Sequence, residues 1–199
     1  MVWYMSKIDI TEKDVVLIGN GPSAIHNELG CMIDSFHNIV RFNEFCIEKF
    51  EKFVGTRTTQ WITVDHFPSV KNKENFRDIY YISFPGWDIL QKFKTFREYY
   101  NNPENENIFK KILLFPETPY WKIRIKNGYY NPSSGLVSIL FFSFMYERVF
   151  ISGFDFFLSN KHHYGDNLVD CCHSGKIEKA IFNNIKENRK NIFYLKEFI

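Results

Sequence analysis

Short apolar runs rich in β-branched residues recur along the chain at Asp14–Gly19, Asn38–Asn43, Thr59–Val64, Asp78–Ser83, Lys111–Phe115 and Arg148–Gly153, with a last short one at Asn191–Leu195. Their length and composition predict strands, and most of the spacers between them read as helix or turn. That alternation predicts an α/β fold: one Rossmann-like domain over residues 1–199, its mostly parallel sheet covered by helices on both faces. Helices are expected at Gly21–Leu29 and Glu44–Phe53, in two segments within 86–110 divided near Asn101-Asn102-Pro103, from Ser133-Ser134-Gly135 to about Glu147, and at Ser174–Glu187. Between Asp155 and Cys172 the polar residues show no period, so a lid-like loop is expected at about 155–172.

Composition narrows the partners. The 25 basic and 23 acidic residues are spread along the chain and leave a net charge of +2, so no polybasic segment points to nucleic acid. Four cysteines without a C-x-x-C pair suggest reduced thiols, with neither a zinc site nor a disulfide framework. The N-terminus lacks the order of a signal peptide, and the densest apolar run, Leu136 to Tyr146, is too short to span a bilayer. A cytoplasmic protein is expected, with peripheral contact to a membrane left open.

Candidate chemistry starts at Val15–Ala24, VVLIGNGPSA, where an apolar run breaks at a small-residue turn before a helical pattern. Such turns let backbone N–H groups approach a phosphate at a helix N-terminus. Gly19, Gly21 and Ala24 satisfy the G-x-G-x-x-G/A spacing of dinucleotide sites, and Glu44 stands where a ribose-binding carboxylate is expected. An NAD- or FAD-dependent oxidoreductase is therefore one alternative, weakened because no second nucleotide-binding half or hydride-transfer constellation is visible.

Four segments in order resemble the sialyltransferases, chiefly glycosyltransferase family 29 and more distantly family 42. Gly19-Asn20-Gly21-Pro22-Ser23, Ile33-Asp34-Ser35-Phe36 and Val40-Arg41-Phe42-Asn43 are similar to the family's long motif, and Val54–Thr59 to the V-G-x-x-T-T that follows it. Asn131–Gly135 with Ser152–Asp155 resembles the short motif; His163-Tyr164 resembles the His-Tyr motif, and His173 with Glu178 the H-x-x-x-x-E motif. The animal enzymes join the long and short motifs by a disulfide, whereas Cys31 has no evident partner near Ser134, which favours a compact microbial or viral relative.

The resemblance implies a sialyltransferase-type variant of the GT-A fold, a CMP-activated keto-sugar donor (CMP-sialic acid or CMP-Kdo) and a glycan or glycolipid acceptor. Gly19, Asn20, Gly21, Ser23, Asn43, Ser133, Ser134 and Gly135 are the expected donor-binding residues. Each also has an ordinary use in turns and helix caps. His173 is the expected base, since an imidazole titrating near 6.5 can accept a hydroxyl proton at neutral pH. His163 and Tyr164 are expected to steady the departing phosphate, with His162 a competitor for the first role. Glu178 is expected to be a solvated helix residue paired with a lysine. His26, His37 and His66 match no motif and are expected to be structural or superficial. No D-x-D occurs, and a donor with one phosphate does not call for the cation that bridges a diphosphate, so no metal is expected. A nucleotide- or glycan-binding module without turnover is the non-enzyme alternative.

Overall fold

A computed structural model describes residues 8–64, 76–81, 112–129, 131–158, 164 and 173–199. Seven strands form one sheet: β1 (Asp14–Ile18), β2 (Asn38–Phe42), β3 (Gln60–Thr63), β4 (Asp78–Tyr81), β5 (Ile112–Leu114), β6 (Arg148–Ser152) and β7 (Ile192–Tyr194). Their order is β5-β4-β3-β2-β1-β6-β7 and every pairing is parallel, with Val15 opposite Asn38 on one side and Val149 on the other. All seven predicted strands are present. Chain order runs outward from β1 to β5 and then returns to β6, so the topological switch lies between β1 and β6. Crevices at the carboxyl ends of strands form at such points.

Period two decides which side chains meet which layer. Val15 and Leu17 join Val40, Phe42, Val149 and Ile151 under α3 (Thr118–Asn127), α4 (Ser134–Met145) and α5 (Gly175–Asn188). Val16, Ile18, Ile39 and Phe150 face the other way, against α1 (Gly30–Asp34), α2 (Glu51–Val54) and Leu195. All five β1 residues are buried, as expected of a central parallel strand covered on both faces. Even its charged end is satisfied: Asp14 takes two bonds from Arg148, at 2.7 and 2.6 Å. Burial alone would raise the Asp14 carboxyl, but Arg148 and Thr11 hold it below the usual range.

Helix boundaries depart further from expectation. Instead of a helix over Gly21–Leu29, a 3-10 turn spans Pro22–Ile25 and α1 begins only at Gly30. The N–H groups of Gly21 and Ser23 are bound across the sheet, to the Gly153 carbonyl and the Asp155 carboxylate, which pins the turn before it can wind regularly. In place of Glu44–Phe53 only α2 is helical, because Lys49 sits at φ 73° in the left-handed region and breaks the run. The pattern also passes over α3, although Pro119 in its first turn and Gly128 at φ 62° beyond its end are ordinary start and stop signals. By contrast α4 and α5 start within a residue of the predicted positions. The two helical segments expected within 86–110 lie outside the described residues. Among the described residues no helix is long and apolar enough to cross a membrane.

Candidate functional site

At the switch point the turns after β1 and β6 lie against each other. Gly19 donates to the Ser152 carbonyl at 2.8 Å and Gly21 to the Gly153 carbonyl at 2.9 Å. A Cβ on Gly19 would stand 2.4 Å from the Gly153 carbonyl oxygen, and one on Gly153 (φ 70°) 2.3 Å from that of Gly19. Neither position tolerates a side chain. A Cβ on Gly21 would meet the Asp155 carboxylate at 2.3 Å. These glycines are thus required first by backbone packing between two turns, a tertiary constraint that the fingerprint spacing does not reveal.

The turns form the floor of a cleft whose lining includes Gly19, Asn20, Gly21, Asn43, Ser133, Ser134, Gly135 and His173. Asn20 is anchored by its amide nitrogen to the carbonyls of Phe42 (3.0 Å) and Glu44 (3.2 Å) at the end of β2. Its Oδ1 is buried and has no hydrogen-bond partner among the described groups. Asn43 adopts φ 46°, which asparagine tolerates better than most residues. Its Oδ1 accepts from Val64 N–H at 3.3 Å, its carbonyl from the Trp61 indole at 2.9 Å, and its Nδ2 reaches Ser134 Oγ at 3.4 Å.

Opposite these lies the N-terminus of α4. Ser133 caps it, accepting from Leu136 N–H at 3.1 Å, so the expected cap role is real. Gly135 permits the close approach of Phe154, whose ring atom would stand 2.8 Å from a Cβ there. The first turn of a twelve-residue helix, with its positive dipole end, therefore forms one wall.

His173, just before α5, also lines the cleft. Its Nδ1 is 2.9 Å from the Asn131 carbonyl, which can only accept, so Nδ1 carries the proton and Nε2 the lone pair. Burial lowers the pKa of the imidazole below 6.5, opposed by the Asn131 bond. The Phe157 ring lies 4.9 Å from it at an interplanar angle of 31°.

Glu178 corrects the expectation of a solvated residue. It is fully buried (0% exposed) and takes the Ser133 N–H and Ser133 hydroxyl at 2.8 Å each. Burial pushes its carboxyl up to about 7 against the lowering effect of these bonds and of the Tyr129 hydroxyl. The same Tyr129 hydroxyl accepts from Ser174 N–H at 2.9 Å. One carboxyl thereby ties the α4 cap to the start of α5.

Two expected contacts fall elsewhere. Ser23 lies beyond the Gly153–Asp155 turn, in a neighbouring polar cleft with Lys179 and Lys196. Tyr164 packs edge-on against Phe50, with ring centroids 5.0 Å apart, and donates its hydroxyl to the Cys46 carbonyl. It does not line the cleft with His173. His163, with His162, lies outside the described residues, as do His66, Cys171, Cys172 and the lid-like loop apart from 155–158 and Tyr164. His26 and His37 are exposed. Asp155, the last residue of the matched short motif, also lines the cleft, although no role was expected of it, and so does Phe157, which escaped the reading of the sequence.

Several residues of the matched segments are scaffold. Asp34 accepts the N–H groups of Thr56 and Arg57 at 2.9 Å each and the Thr56 hydroxyl at 2.9 Å. Buried Arg41 donates to the Val54 carbonyl (2.6 Å), the Thr58 hydroxyl (2.9 Å) and the Arg57 carbonyl (3.1 Å). Burial lowers its pKa to about 10.

The family model for glycosyltransferase family 29 (sialyltransferase) matches residues 11–88. A zebrafish (Danio rerio) beta-galactoside alpha-2,6-sialyltransferase 2 is 23% identical over 207 aligned positions, which take in 90% of this chain. The chain spans 40% of that relative's length. A mammalian sialyltransferase, solved with Gal-beta-1-3GalNAc-ortho-nitrophenol, superposes with a TM-score of 0.64 at 22% identity over 92% of this chain and 69% of its own. The sialyltransferase CstII of Campylobacter jejuni, solved with cytidine-5'-monophosphate, gives 0.60 at 16% identity over 92% and 79%. In its sequence motifs and in its fold, the chain is sialyltransferase-like.

Proposed function

We propose that this chain is an inverting glycosyltransferase that moves a keto-sugar, sialic acid or Kdo, from its CMP donor to a glycan hydroxyl without a metal. The observation that carries the reading is the convergence on one cleft of the Gly19–Gly21 turn, the α4 N-terminus at Ser133–Gly135 and the His173 imidazole, residues far apart in sequence. The complex of the Campylobacter relative with cytidine monophosphate supports that nucleotide as the donor's leaving group.

Each wall has a task in this chemistry. The α4 N-terminus faces the anionic part of the donor with oriented N–H groups, a place suited to phosphate or the sugar carboxylate. Asn20, whose buried Oδ1 lacks a partner among the described residues, and Asn43 face the nucleoside. His173 Nε2 accepts the acceptor hydroxyl proton as that oxygen bonds to the anomeric carbon on the face opposite the phosphate. The carbon–oxygen bond to CMP breaks and its electron pair leaves with the phosphate. Donor groups aimed at this phosphate stabilise the charge as it develops.

A thermal-shift panel of CMP, CDP, UDP, GDP and NAD tests the assignment. CMP at about 100 times its Kd stabilises by about 2.7 kcal/mol. UDP and GDP are expected to give much less. Equal stabilisation by UDP, or none by CMP, overturns the donor class; stabilisation by NAD alone restores the oxidoreductase. A protein that binds CMP yet never cleaves a CMP-sugar is a binding module.

A further inference from the structure

Directly after β6 the chain does something costly. Phe156 and Phe157, two consecutive bulky residues, both lie in the left-handed region at φ 50° and 53°. Such a pair persists only where surrounding contacts over-determine it. Three contacts do so here. The Phe156 ring is buried 4.5 Å from Phe182 of α5, with the Lys179 ammonium 4.6 Å above it. The Leu158 N–H closes the turn onto the Asp155 carbonyl at 3.1 Å. Both carbonyls of the strained pair rest on the first residue of α5: a Cβ on Gly175 would stand 2.6 Å from the Phe156 oxygen and 2.5 Å from the Phe157 oxygen. Only glycine lets the turn seat there.

Both residues of the turn line the cleft. With Phe156 directed into the core, Phe157 lies 4.9 Å from the His173 ring. Among the described residues, the Asn131 carbonyl meets His173 at Nδ1 and the Phe157 ring lies beside its imidazole. We propose that the Phe156–Phe157 turn, seated on Gly175, is the device that aims His173, with Phe157 as a positioning residue that fixes the imidazole plane while Asn131 fixes its tautomer.

This rests on His173 being the base of the proposed transfer. Position matters there because a misplacement of about 1 Å can cost on the order of 100-fold in rate. Burial and the Asn131 bond are what act on the protonation of His173. The Glu178 carboxyl of α5 is turned toward Ser133. Removing the aromatic cover therefore admits water and returns the imidazole toward its ordinary value.

Proton NMR of the full chain tests the contact before any variant is made. In the wild type, ring-current displacement of the His173 ring protons is expected, against undisplaced signals from exposed His26 and His37. An undisplaced His173 overturns the proposal even if no variant folds. Phe157→Leu should abolish the displacement, raise the His173 pKa toward about 6.5 and lower kcat by about 10- to 100-fold at unchanged CMP affinity. Phe157→Tyr should restore all three. A folded Phe157→Leu protein with native titration and native kcat sinks the idea, as does a Phe157→Tyr protein that behaves like Phe157→Leu. Absence of CMP-sugar turnover in the wild type, with the ring displacement and titration as stated, counts against the transferase reading and leaves the aiming contact standing.

Discussion

His173 and Glu178 show how little of a residue's role is set by its identity. Both belong to one matched motif, yet one lines the cleft and the other is buried behind it. His173→Ala is expected to remove on the order of 10²–10⁴ of the transfer rate with CMP affinity nearly unchanged, measured by steady-state kinetics and by titration calorimetry. Because burial lowers the His173 pKa and the proposed base works unprotonated, the acid limb of wild-type activity should fall below pH 6.5. Glu178→Gln replaces two acceptor oxygens by one and leaves a Ser133 donor unsatisfied, a loss of about 1–3 kcal/mol readable as a lower Tm. Its pH signature has a definite sign. A carboxyl raised from 4.5 to about 7 binds its proton more tightly in the folded state, so its contribution is full below pH 4.5 and is lost as pH rises through 7. In Glu178→Gln that part of the pH dependence should vanish.

At the scale of elements, the matched segments divide into cleft and brace. The Asp34 carboxylate and the Arg41 guanidinium both hold residues 54–58, joining α1, β2 and the end of α2. Gly55, at φ 74° with the Asp34 carboxylate 2.6 Å from where a Cβ would stand, completes the brace. Asp34→Ala should therefore cost about 2 kcal/mol through lost charge-assisted bonds, about 4–8 °C in Tm at this chain length. CMP affinity of the folded fraction should stay at the wild-type value, because Asp34 does not line the cleft. A tenfold loss of affinity would place this segment in the site instead. The same division explains the helices. Where an apolar stripe meets the sheet, as with Ile181, Phe182 and Ile185 of α5, periodicity locates the helix; in Gly21–Phe53, carbonyl and carboxylate partners from distant turns decide.

For the whole molecule, the parallel order with its switch between β1 and β6 makes a single cleft out of turns and helix ends from both halves of the sheet. A donor with one phosphate can be neutralised there by a helix N-terminus, so transfer should survive excess EDTA in a CMP-sugar assay. Full loss on chelation, restored by Mg²⁺ or Mn²⁺, would refute the metal-free mechanism.

The strands, their parallel arrangement and the starts of α4 and α5 were legible in the sequence because each follows from local information: β-branched runs, alternation, and a capping serine before an apolar stripe. The candidate donor residues other than Ser23 were legible by their motifs, and the fold brings them together. Four things were decided only in three dimensions. Gly19 faces Gly153, Asp155 binds the Ser23 N–H, Tyr164 turns its hydroxyl to Cys46, and Glu178 lies buried beneath the α4 cap. Each pairs residues more than forty positions apart across the sheet edge, and local pattern carries no information about which distant backbone will arrive there. Burial, which turns a surface-type glutamate into a carboxyl of about 7, exists only once those layers have closed around it.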